Sequence, residues 1–302
     1  MTDEAVLDIP KVRSVSYSQY TLWATCPEQW KIRYVDGVKS ESGIELVFGT
    51  AMHDTIQHWL TLLYGPNPEK AKIFDVKGYL KERLMLHVKK ELFLEDRKLT
   101  TKEEVAEYYA DGCNIIDHVL QHKKDFFPKN YELVGIEVPL ELEASPGVRF
   151  RGFIDVVLYH KAAKTYYIYD FKTSRYGWFS QKKDHKKLDQ LLLYKKYYSE
   201  VLGVSPDNIN VKFIILKRKV NENSDYAVKH MVGFEPSHGS TSMKRANERF
   251  SKFLELFDEN GVPKLDTIRP TPSESACKYC IAKNDPKMCA FSFYKSNKKS
   301  LV

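Results

Sequence analysis

The sequence predicts an α/β fold, in which a β-sheet is covered by helices. Two neighbouring runs in the middle of the chain, residues 151–160 (RGFIDVVLYH) and 164–174 (KTYYIYDFKTS), have strand length and are rich in β-branched and aromatic residues. A third such run, INVKFIIL, occupies residues 209–216. Elsewhere, apolar residues recur at three- and four-residue spacing, which is typical of helices. Strands that alternate with helices in a chain of 302 residues favour an α/β architecture.

The remaining elements follow from the same two periodicities. In chain order they are helices over residues 18–35, 50–64, 75–96 and 102–124, a strand over 133–142, a helix over 186–202, a strand over 228–234 and a helix over 240–258. The helices over 75–96 and 102–124 are dense in Lys and Glu, and we predict that this insert forms a lid or arm over the functional site. Because the chain shows neither an internal repeat nor a low-complexity linker, a single domain over residues 1–302 is expected.

The two central strands carry isolated acidic residues. The connection between them is short enough for a hairpin turn, and a symmetric turn places Asp155 opposite Asp170. Directly opposed side chains have Cβ atoms about 4.5–5.5 Å apart, so two like charges there are destabilising. Lys172 projects from the same face as Asp170, whereas Phe171 points to the other face. A divalent cation between the carboxylates would turn this repulsion into a binding site; the alternative is that both acids are strand-edge residues paired with nearby lysines.

The helix predicted after this hairpin adds a further group of residues. Gln190 and Tyr194 are four residues apart and therefore share one face of the helix. Leu191, Leu192 and Leu193 supply its buried side.

Together these residues resemble the signature of the PD-(D/E)xK nucleases, and in particular of their RecB-like branch, which includes the CRISPR-adaptation exonucleases. That signature is an Asp on one strand, Asp/Glu-x-Lys on the next and Gln-x-x-x-Tyr on the following helix; Ile154 stands in place of the Pro of the family name. The family also has an early Gly-x-x-x-His run, matched by Gly49 to His53, and often a Glu on the preceding strand, matched by Glu137.

The resemblance implies a restriction-endonuclease-like core, which is a central mixed β-sheet flanked by helices. It divides one nuclease domain into N-terminal helices (16–64), a helical insert (75–124), the catalytic core (131–235) and a C-terminal helix with a cysteine-rich tail (240–302). It also implies hydrolysis of phosphodiester bonds with Mg²⁺ or Mn²⁺, which are hard ions suited to carboxylate ligands.

The resemblance assigns roles to the acids and the lysine. The implied metal ligands are Asp155, Asp170, the backbone carbonyl of Phe171 and His53, whose imidazole favours Mn²⁺ somewhat more than Mg²⁺. Lys172 is expected to orient or help deprotonate the attacking water and to offset the charge that develops on the phosphate.

Several motif residues also have ordinary structural alternatives. Glu137 could bind the metal, bind a second metal or hold a water, or it could be a solvent-facing strand residue. Gln190 and Tyr194 are expected to position the lysine or the nucleic-acid strand, although Tyr194 would also suit simple core packing. His53 lies in an apolar-rich helix start and would also suit a core histidine. The resemblance, rather than the local pattern, favours the functional roles.

Cysteine usage indicates a reducing compartment. The five cysteines are odd in number and widely spaced, which does not fit a secreted disulfide framework. The acidic start MTDEAVLDIP is unlike a signal peptide, and no stretch is apolar enough to span a bilayer. We therefore expect the cytoplasm of a bacterial, archaeal or phage-infected cell. Cys113, inside a helical run, is predicted to be a buried thiol.

The other four cysteines form a second candidate metal site. Cys277 and Cys280 make a CxxC, Cys289 follows, and Cys26 lies far upstream before Pro27. In several RecB-like nucleases one Cys before the core joins three after it around a [4Fe–4S] cluster, and this arrangement is similar. The last spacing is longer than usual, so Zn²⁺ held by four thiolates stays an alternative, as does a Cys26 that simply packs.

Basic and aromatic residues beside the hairpin are candidates for contact with DNA. The chain has a net charge of +7, and four lysines precede the Gln190 helix, namely Lys182, Lys183, Lys186 and Lys187. Such clusters bind backbone phosphates in a sequence-independent way. Arg175, Tyr176 and Trp178 follow the catalytic strand and could stack on unpaired bases, at about 1–3 kcal/mol per base. The alternative is a solvated charged face with aromatics that close the core.

Three functions are consistent with the sequence. The leading one is a metal-dependent DNA exonuclease in recombination, repair or replication, which acts on single-stranded DNA or free ends and works with recombination or replication proteins. The second is a structure-specific endonuclease or nickase. The third is a non-catalytic DNA-binding subunit, which the intact Asp155, Asp170 and Lys172 disfavour. The sequence has no GxxxxGK[ST] loop and hence no nucleotide-driven motor of its own.

Overall fold

The computed structural model of the protein describes residues 13–39, 43–95, 100–221 and 229–292, without the side chains of residues 92–95 and 180. Its helices, in chain order, are α1 (Tyr17–Thr25), α2 (Pro27–Tyr34), α3 (Ile44–Leu63), α4 (Glu69–Ile73), α5 (Val76–Glu95), α6 (Lys102–Gln121), α7 (Lys123–Phe126), α8 (His185–Leu202), α9 (Ser240–Leu254) and α10 (Glu274–Lys278). Within these described ranges, no helix is both long enough and apolar enough to cross a membrane.

The strands form one mixed sheet. They are β1 (Arg13–Val15), β2 (Glu132–Ser145), β3 (Val148–His160), β4 (Thr165–Ser174), β5 (Ile209–Lys217) and β6 (Met231–Phe234). Their order is β1-β3-β4-β5-β6, and β2 also pairs with β3. The pairs β1–β3 and β4–β5 are parallel, whereas β3–β4 and β5–β6 are antiparallel. The predicted α/β fold, with a mixed central sheet flanked by helices, is confirmed, and it is consistent with a restriction-endonuclease-like core.

The chain separates into two compact units. The first is formed from the described residues of Met1–Ser40, Leu140–Gly152 and Lys244–Val302, and the second from those of Glu41–Pro139 and Phe153–Met243. Aromatic side chains build the core of the first unit. Phe250 meets Tyr20 and Phe150 edge-on, with ring centroids 5.5 Å apart in both pairs. The single nuclease domain expected from the sequence stays a prediction.

The core of the second unit lies between the sheet and helices α3, α5 and α6. Val156 of β3 and Phe171 of β4 point into it, as do Leu80 and Leu84 of α5 and Ile115 of α6, all of them at most 1% exposed. Burying each such side chain is worth about 1.5–3 kcal/mol, so both helices of the insert are held in the main core. The apolar stripes of the insert pack against α3 and the sheet, and the predicted lid or arm over the site stays a prediction.

The helix predicted over residues 18–35 is two helices, because the chain breaks at Cys26. Pro27 opens α2 at its first position, and a proline disfavours the helical conformation of the residue before it. Cys26 is accordingly extended, with φ −160° and ψ 115°. The break leaves its thiol buried at the junction of the two helices.

Other predicted elements differ from the structure mainly at their ends. α3 begins at Ile44 rather than near residue 50, and α6 ends at Gln121, where α7 follows. β6 falls inside the strand predicted over 228–234, whose first residue lies outside the described residues. The predicted C-terminal tail is described as far as residue 292 and contains α10.

The central hairpin has the register predicted from its turn. Residues 156–160 of β3 pair with residues 165–169 of β4, and the turn closes where Lys164 takes a left-handed backbone conformation with φ 52°. Asp155 and Asp170 are the next positions in this register. The backbone ladder between the two strands ends at the pair before them, so the two carboxylates lie where the strands stop sharing hydrogen bonds.

Gly147, in the turn between β2 and β3, supports a structural prediction. Its φ is +70°, and a Cβ there would lie 2.5 Å from the Glu259 carbonyl oxygen and 2.6 Å from the Gly261 nitrogen. We expect Gly147→Ala to lower the free energy of unfolding by about 2–4 kcal/mol, from left-handed strain plus backbone overlap. The measurement is chemical denaturation.

The matched control is Gly203→Ala, at the end of α8. Its φ is +65°, but no atom lies within 4 Å of an added Cβ, so the variant should lose only about 1 kcal/mol. Equal losses in the two variants would contradict the close approach at Gly147.

Candidate active site

The two carboxylates of the central hairpin are buried beyond the end of its ladder. Asp155 is 8% exposed and Asp170 is 1% exposed. Asp155 Oδ2 accepts a hydrogen bond from the backbone N–H of Phe171 at 2.7 Å. Here the carboxylate of β3, rather than a backbone carbonyl of β3, accepts the N–H of β4. Burial, followed by repulsion from Asp170, raises the pKa of Asp155 well above its usual value, although Lys172 and the Phe171 N–H oppose the rise.

Helix α3 brings His53 to the same place. His53 Nδ1 lies 3.5 Å from Asp155 Oδ2, and the imidazole meets the Phe171 ring edge-on at 5.9 Å between centroids. The helix approaches β4 closely at Gly49, where a Cβ would lie 3.1 Å from Thr173 Oγ1. Burial lowers the pKa of His53 despite the nearby carboxylates, so the imidazole is neutral at physiological pH and keeps a lone pair for a metal.

Glu137 reaches the site from β2 through an unusual backbone conformation. Its φ is 48°, in the left-handed region, which costs about 1–2 kcal/mol for an L-residue. One ligand atom each from Glu137, His53 and Asp155 lie within 4.8 Å of one another. Among the residues that the structure describes, these three form the one group of potential ligands that comes this close.

The donor set fits a hard divalent cation. Carboxylate oxygens from Glu137 and Asp155 stand beside one neutral imidazole, whereas Asp170, on the adjoining strand, lies outside this group of three. These are ligand types that Mg²⁺ and Mn²⁺ accept. Burial and then the charge of Asp170 raise the pKa of Asp155, and a bound cation would oppose both effects.

Asp170 is held from two sides. Lys172 Nζ lies 2.6 Å from its Oδ1, on the face predicted from the strand periodicity. Gln190 Nε2 donates to Oδ2 at 2.7 Å and lies 3.4 Å from the Tyr194 hydroxyl oxygen. The Lys172 contact is an ion pair without hydrogen-bond geometry, so Oδ1 has no hydrogen-bond partner among the described residues. A lone pair of Asp170 therefore remains available to a cation.

Helix α8 positions Gln190 and Tyr194 next to Asp170. The side chain of Asp184 caps the helix by accepting the N–H of Lys186 at 3.1 Å, and Gly203 ends it in the left-handed conformation. Gln190 and Tyr194 then lie one turn apart and face Asp170. Burial raises the pKa of Tyr194, so its hydroxyl keeps its proton.

Gln57 is a site residue that the sequence reasoning missed. It lies on α3 one turn after His53 and is 5% exposed. Its Nε2 donates to Glu137 Oε1 at 2.5 Å and to the backbone carbonyl of Asp155 at 3.3 Å. The signal that could have found it is the four-residue spacing from His53, which puts both side chains on one face of the helix.

The group of potential ligands opens into a groove of about 470 Å³. Helix α3 lines one side with Leu46, which is 63% exposed, and with Asp54. Arg83 Nε of α5 donates to Asp54 Oδ2 at 2.8 Å, and His87 Nε2 of the same helix lies 2.8 Å from that oxygen. These contacts hold α5, a helix of the insert, against this side of the groove. Lys172 lines the other side. His53 and Glu137 line the groove, whereas Asp155 does not.

The aromatic residues predicted to contact DNA divide into exposed and buried ones. Arg175 and Tyr176 are exposed, with the guanidinium 5.2 Å from the centre of the Tyr176 ring. Trp178 is only 9% exposed and packs against Phe213, with 4.9 Å between ring centroids. Trp178 is therefore a core residue in this fold, and its predicted stacking on a base has no support.

The four lysines predicted to contact DNA lie on the 3₁₀ turn Ser180–Lys183 and the first turn of α8, and they are Lys182, Lys183, Lys186 and Lys187. Burial lowers the pKa of Lys187, whose ammonium lies 5.5 Å from the centre of the Trp178 ring. Lys195, further along α8, is 2% exposed and contacts His238 Nδ1 at 2.8 Å, so it belongs to the core.

Four of the five cysteines line one small cavity in the first unit, and they are Cys26, Cys277, Cys280 and Cys289. The free volume there is about 10 Å³. Burial raises the pKa of Cys280, and the other three thiols add to the rise. The four sulfurs, all on described residues, give no group of three within 4.8 Å of one another. Cys113 is half-buried, so the prediction of a buried thiol was wrong in degree.

The mixed sheet and the cluster of carboxylates, imidazole and lysine at its hairpin define a nuclease-type domain. The family model of the PD-(D/E)XK nuclease superfamily matches residues 14–284, so the chain belongs to this superfamily. Membership indicates a nucleic-acid substrate and, as is typical of the superfamily, dependence on a divalent metal.

Other comparisons add little to the family match. No curated protein matches the chain. Among solved structures, the chain is similar to the crystal structure of SSO0001, with 13% identity over 88% of this chain and 93% of that one. The TM-score of 0.32 is too low to carry an argument about function.

The raised pKa of Asp155 predicts how the metal-free protein responds to pH. The folded state holds a proton that the unfolded chain releases above the ordinary Asp value of about 4, so stability falls as pH rises from there toward the raised pKa. Asp155→Asn carries no such penalty. In the presence of chelator we expect this variant to be more stable than the wild type at neutral pH by about 0.5–2 kcal/mol, and the gap to close near pH 4.

Thermal unfolding across pH measures this difference. Asp117→Asn is the control, because Asp117 is an exposed carboxylate paired with Lys77, and it should change stability little at any pH. Mn²⁺ should stabilise the wild type more than Asp155→Asn. Parallel pH curves for the wild type and Asp155→Asn would show that Asp155 bears no electrostatic strain.

Proposed function

We propose that this protein is a divalent-metal-dependent DNA exonuclease of the RecB-like branch, acting in recombination, repair or replication in a reducing cytoplasm. The observation that carries the proposal is the convergence of Asp155, Asp170 and Lys172 with His53 and Glu137 beyond the hairpin ladder. A structural ion pair would not need two carboxylates and an imidazole within 4.8 Å of one another, with a third buried carboxylate on the adjoining strand.

The chain's own residues divide the work of phosphodiester hydrolysis. His53, Glu137, Asp155, Asp170 and the Phe171 carbonyl would hold Mg²⁺ or Mn²⁺. When bound, the ion supplies a Lewis acid for the scissile phosphate.

The remaining site residues act on the water and on the lysine itself. Lys172 would orient the attacking water, take part in removing its proton and offset negative charge on the phosphate. Gln190 fixes Asp170 through the 2.7 Å hydrogen bond, and Asp170 in turn holds the Lys172 ammonium at 2.6 Å. Tyr194 supports the Gln190 amide, so its role is positional.

Contact with the DNA strand is proposed for residues that follow β4 and for those at the start of α8, all of them exposed except the half-buried Lys186. Lys182, Lys183, Lys186 and Lys187 would bind backbone phosphates, and binding should weaken as salt rises. Arg175 and Tyr176 would stack on unpaired bases, which supports a substrate that is single-stranded or has a free end. Recombination or replication proteins are the partners we propose.

The test of the enzyme uses end-labelled linear and circular DNA, single- and double-stranded, with Mg²⁺ or Mn²⁺. We expect degradation of linear DNA only, and a loss of at least about 100-fold in rate for Asp170→Ala and for Lys172→Ala. Lys212→Ala is the matched control, since Lys212 is also a strand lysine paired with a carboxylate, Glu235, at 2.7 Å. It should cleave like the wild type.

Other outcomes point to the alternative functions. Cleavage of circular DNA would favour a structure-specific endonuclease or nickase. No metal-dependent cleavage, or cleavage unchanged in both variants, would leave a DNA-binding subunit that keeps the nuclease fold.

We also propose that the cavity lined by Cys26, Cys277, Cys280 and Cys289 holds a metal, with a [4Fe–4S] cluster favoured over Zn²⁺. Its lining by four thiols from both ends of the chain supports a site. A single tetrahedral zinc, with Zn–S bonds of about 2.3 Å, would need sulfurs about 3.8 Å apart. No three of the four described sulfurs come within 4.8 Å of one another, so only the shared cavity supports the site, and the preference for the cluster rests on the sequence resemblance. Its role would be to join the two ends of the chain.

Anaerobic purification tests the cysteine site. We expect a brown protein that absorbs at roughly 400 nm, with colour lost in Cys280→Ser. Cys113→Ser, which alters a thiol outside the cavity, should keep the colour. Colourless protein with one bound zinc would select the alternative, and protein free of both metals would remove the site.

A further inference from the structure

We infer that Gln57 is a positioning residue of the metal site, because its amide holds the Glu137 carboxylate beside His53 and Asp155. The inference rests on the proposed function in one respect, namely that Glu137 is a ligand of the metal. Neither the sequence motifs nor the family match assigns a role to Gln57.

The amide of Gln57 joins the three elements that meet at the site. From α3 it donates to Glu137 Oε1 on β2 at 2.5 Å and to the Asp155 backbone carbonyl on β3 at 3.3 Å. Both partners are acceptors, so the NH₂ side of the amide must face them. His53 precedes Gln57 by one turn, so the same face of α3 carries a ligand and the group that orients another ligand.

Glu137 needs such a partner because of its backbone. At φ 48° it occupies a conformation that persists only where surrounding contacts hold it. Among the described residues, the Gln57 amide is the hydrogen-bond partner of the Glu137 side chain. Within the described part of the chain this bond engages only Oε1, so the second carboxylate oxygen can face a cation.

A purely structural role would look different. Thr55, on the same helix, is fully buried and donates its hydroxyl to the Ala51 carbonyl of its own helix at 2.7 Å. Such a bond stabilises the fold without touching a ligand. Gln57 instead donates to the side chain of one candidate ligand, Glu137, and to the backbone carbonyl of another, Asp155.

The test measures Mn²⁺ binding by calorimetry in protein first stripped with chelator. We expect Gln57→Leu, which is close in volume but has no amide, to bind Mn²⁺ about 10–100-fold more weakly than the wild type. Thr55→Val is the matched control and should bind as tightly as the wild type. Circular dichroism checks that both variants are folded.

A double variant separates a positioning role from an independent one. If Gln57 acts through Glu137, Gln57→Leu combined with Glu137→Gln should bind Mn²⁺ no more weakly than Glu137→Gln alone. Wild-type affinity in Gln57→Leu, or losses that add in the double variant, would overturn the inference.

The same experiments distinguish a failure of the nuclease proposal from a failure of the inference about Gln57. A wild type that binds Mn²⁺ with this pattern but degrades no DNA would support the role of Gln57 and reject the nuclease. A wild type that binds no Mn²⁺ would overturn both.

Discussion

Two carboxylates buried beyond the last pair of the central hairpin are the constraint on which the rest of the structure depends. In surroundings poor in water, like charges on adjacent strands repel strongly. Burial, with that repulsion added, raises the pKa of Asp155 well above its usual value. The fold tolerates the pair because each carboxylate has a compensating partner, which is the Phe171 N–H for Asp155 and the Lys172 ammonium for Asp170. A site that binds a cation therefore costs stability when the cation is absent, as is common at functional sites.

The scaffold fixes this charged pair from both faces of the sheet. β4 lies between β3 and β5; its residues 165–169 pair with β3, and the segment that carries Asp170 and Lys172 pairs with β5. His53 of α3 contacts Asp155 from one face of the sheet, and Gln190 of α8 contacts Asp170 from the other face. Rigid elements rather than loops hold these groups, which is what a metal site needs, since ligand geometry must be kept within a fraction of an ångström.

Local periodicity explains which sequence predictions were confirmed and which were wrong. The hairpin register was predictable because a short symmetric turn and the two-residue repeat of a strand leave one alignment of β3 with β4. Burial was harder to predict. Trp178 looked like an exposed platform beside the site but packs on Phe213, and the Lys- and Glu-rich insert hides an apolar stripe that belongs to the core. A charged composition reports the exposed face of a helix and says little about the opposite face.

The sequence by itself determined which side chains share a face: Asp170 with Lys172 on a strand, and Gln190 with Tyr194 on a helix. Tertiary structure alone decided the left-handed backbone of Glu137, its bond to Gln57 and the cavity shared by cysteines from both ends of the chain. The physical reason is distance along the chain. Spacing within one element follows from backbone geometry, whereas Gln57 and Glu137 lie 80 residues apart and meet only because α3 packs against the sheet.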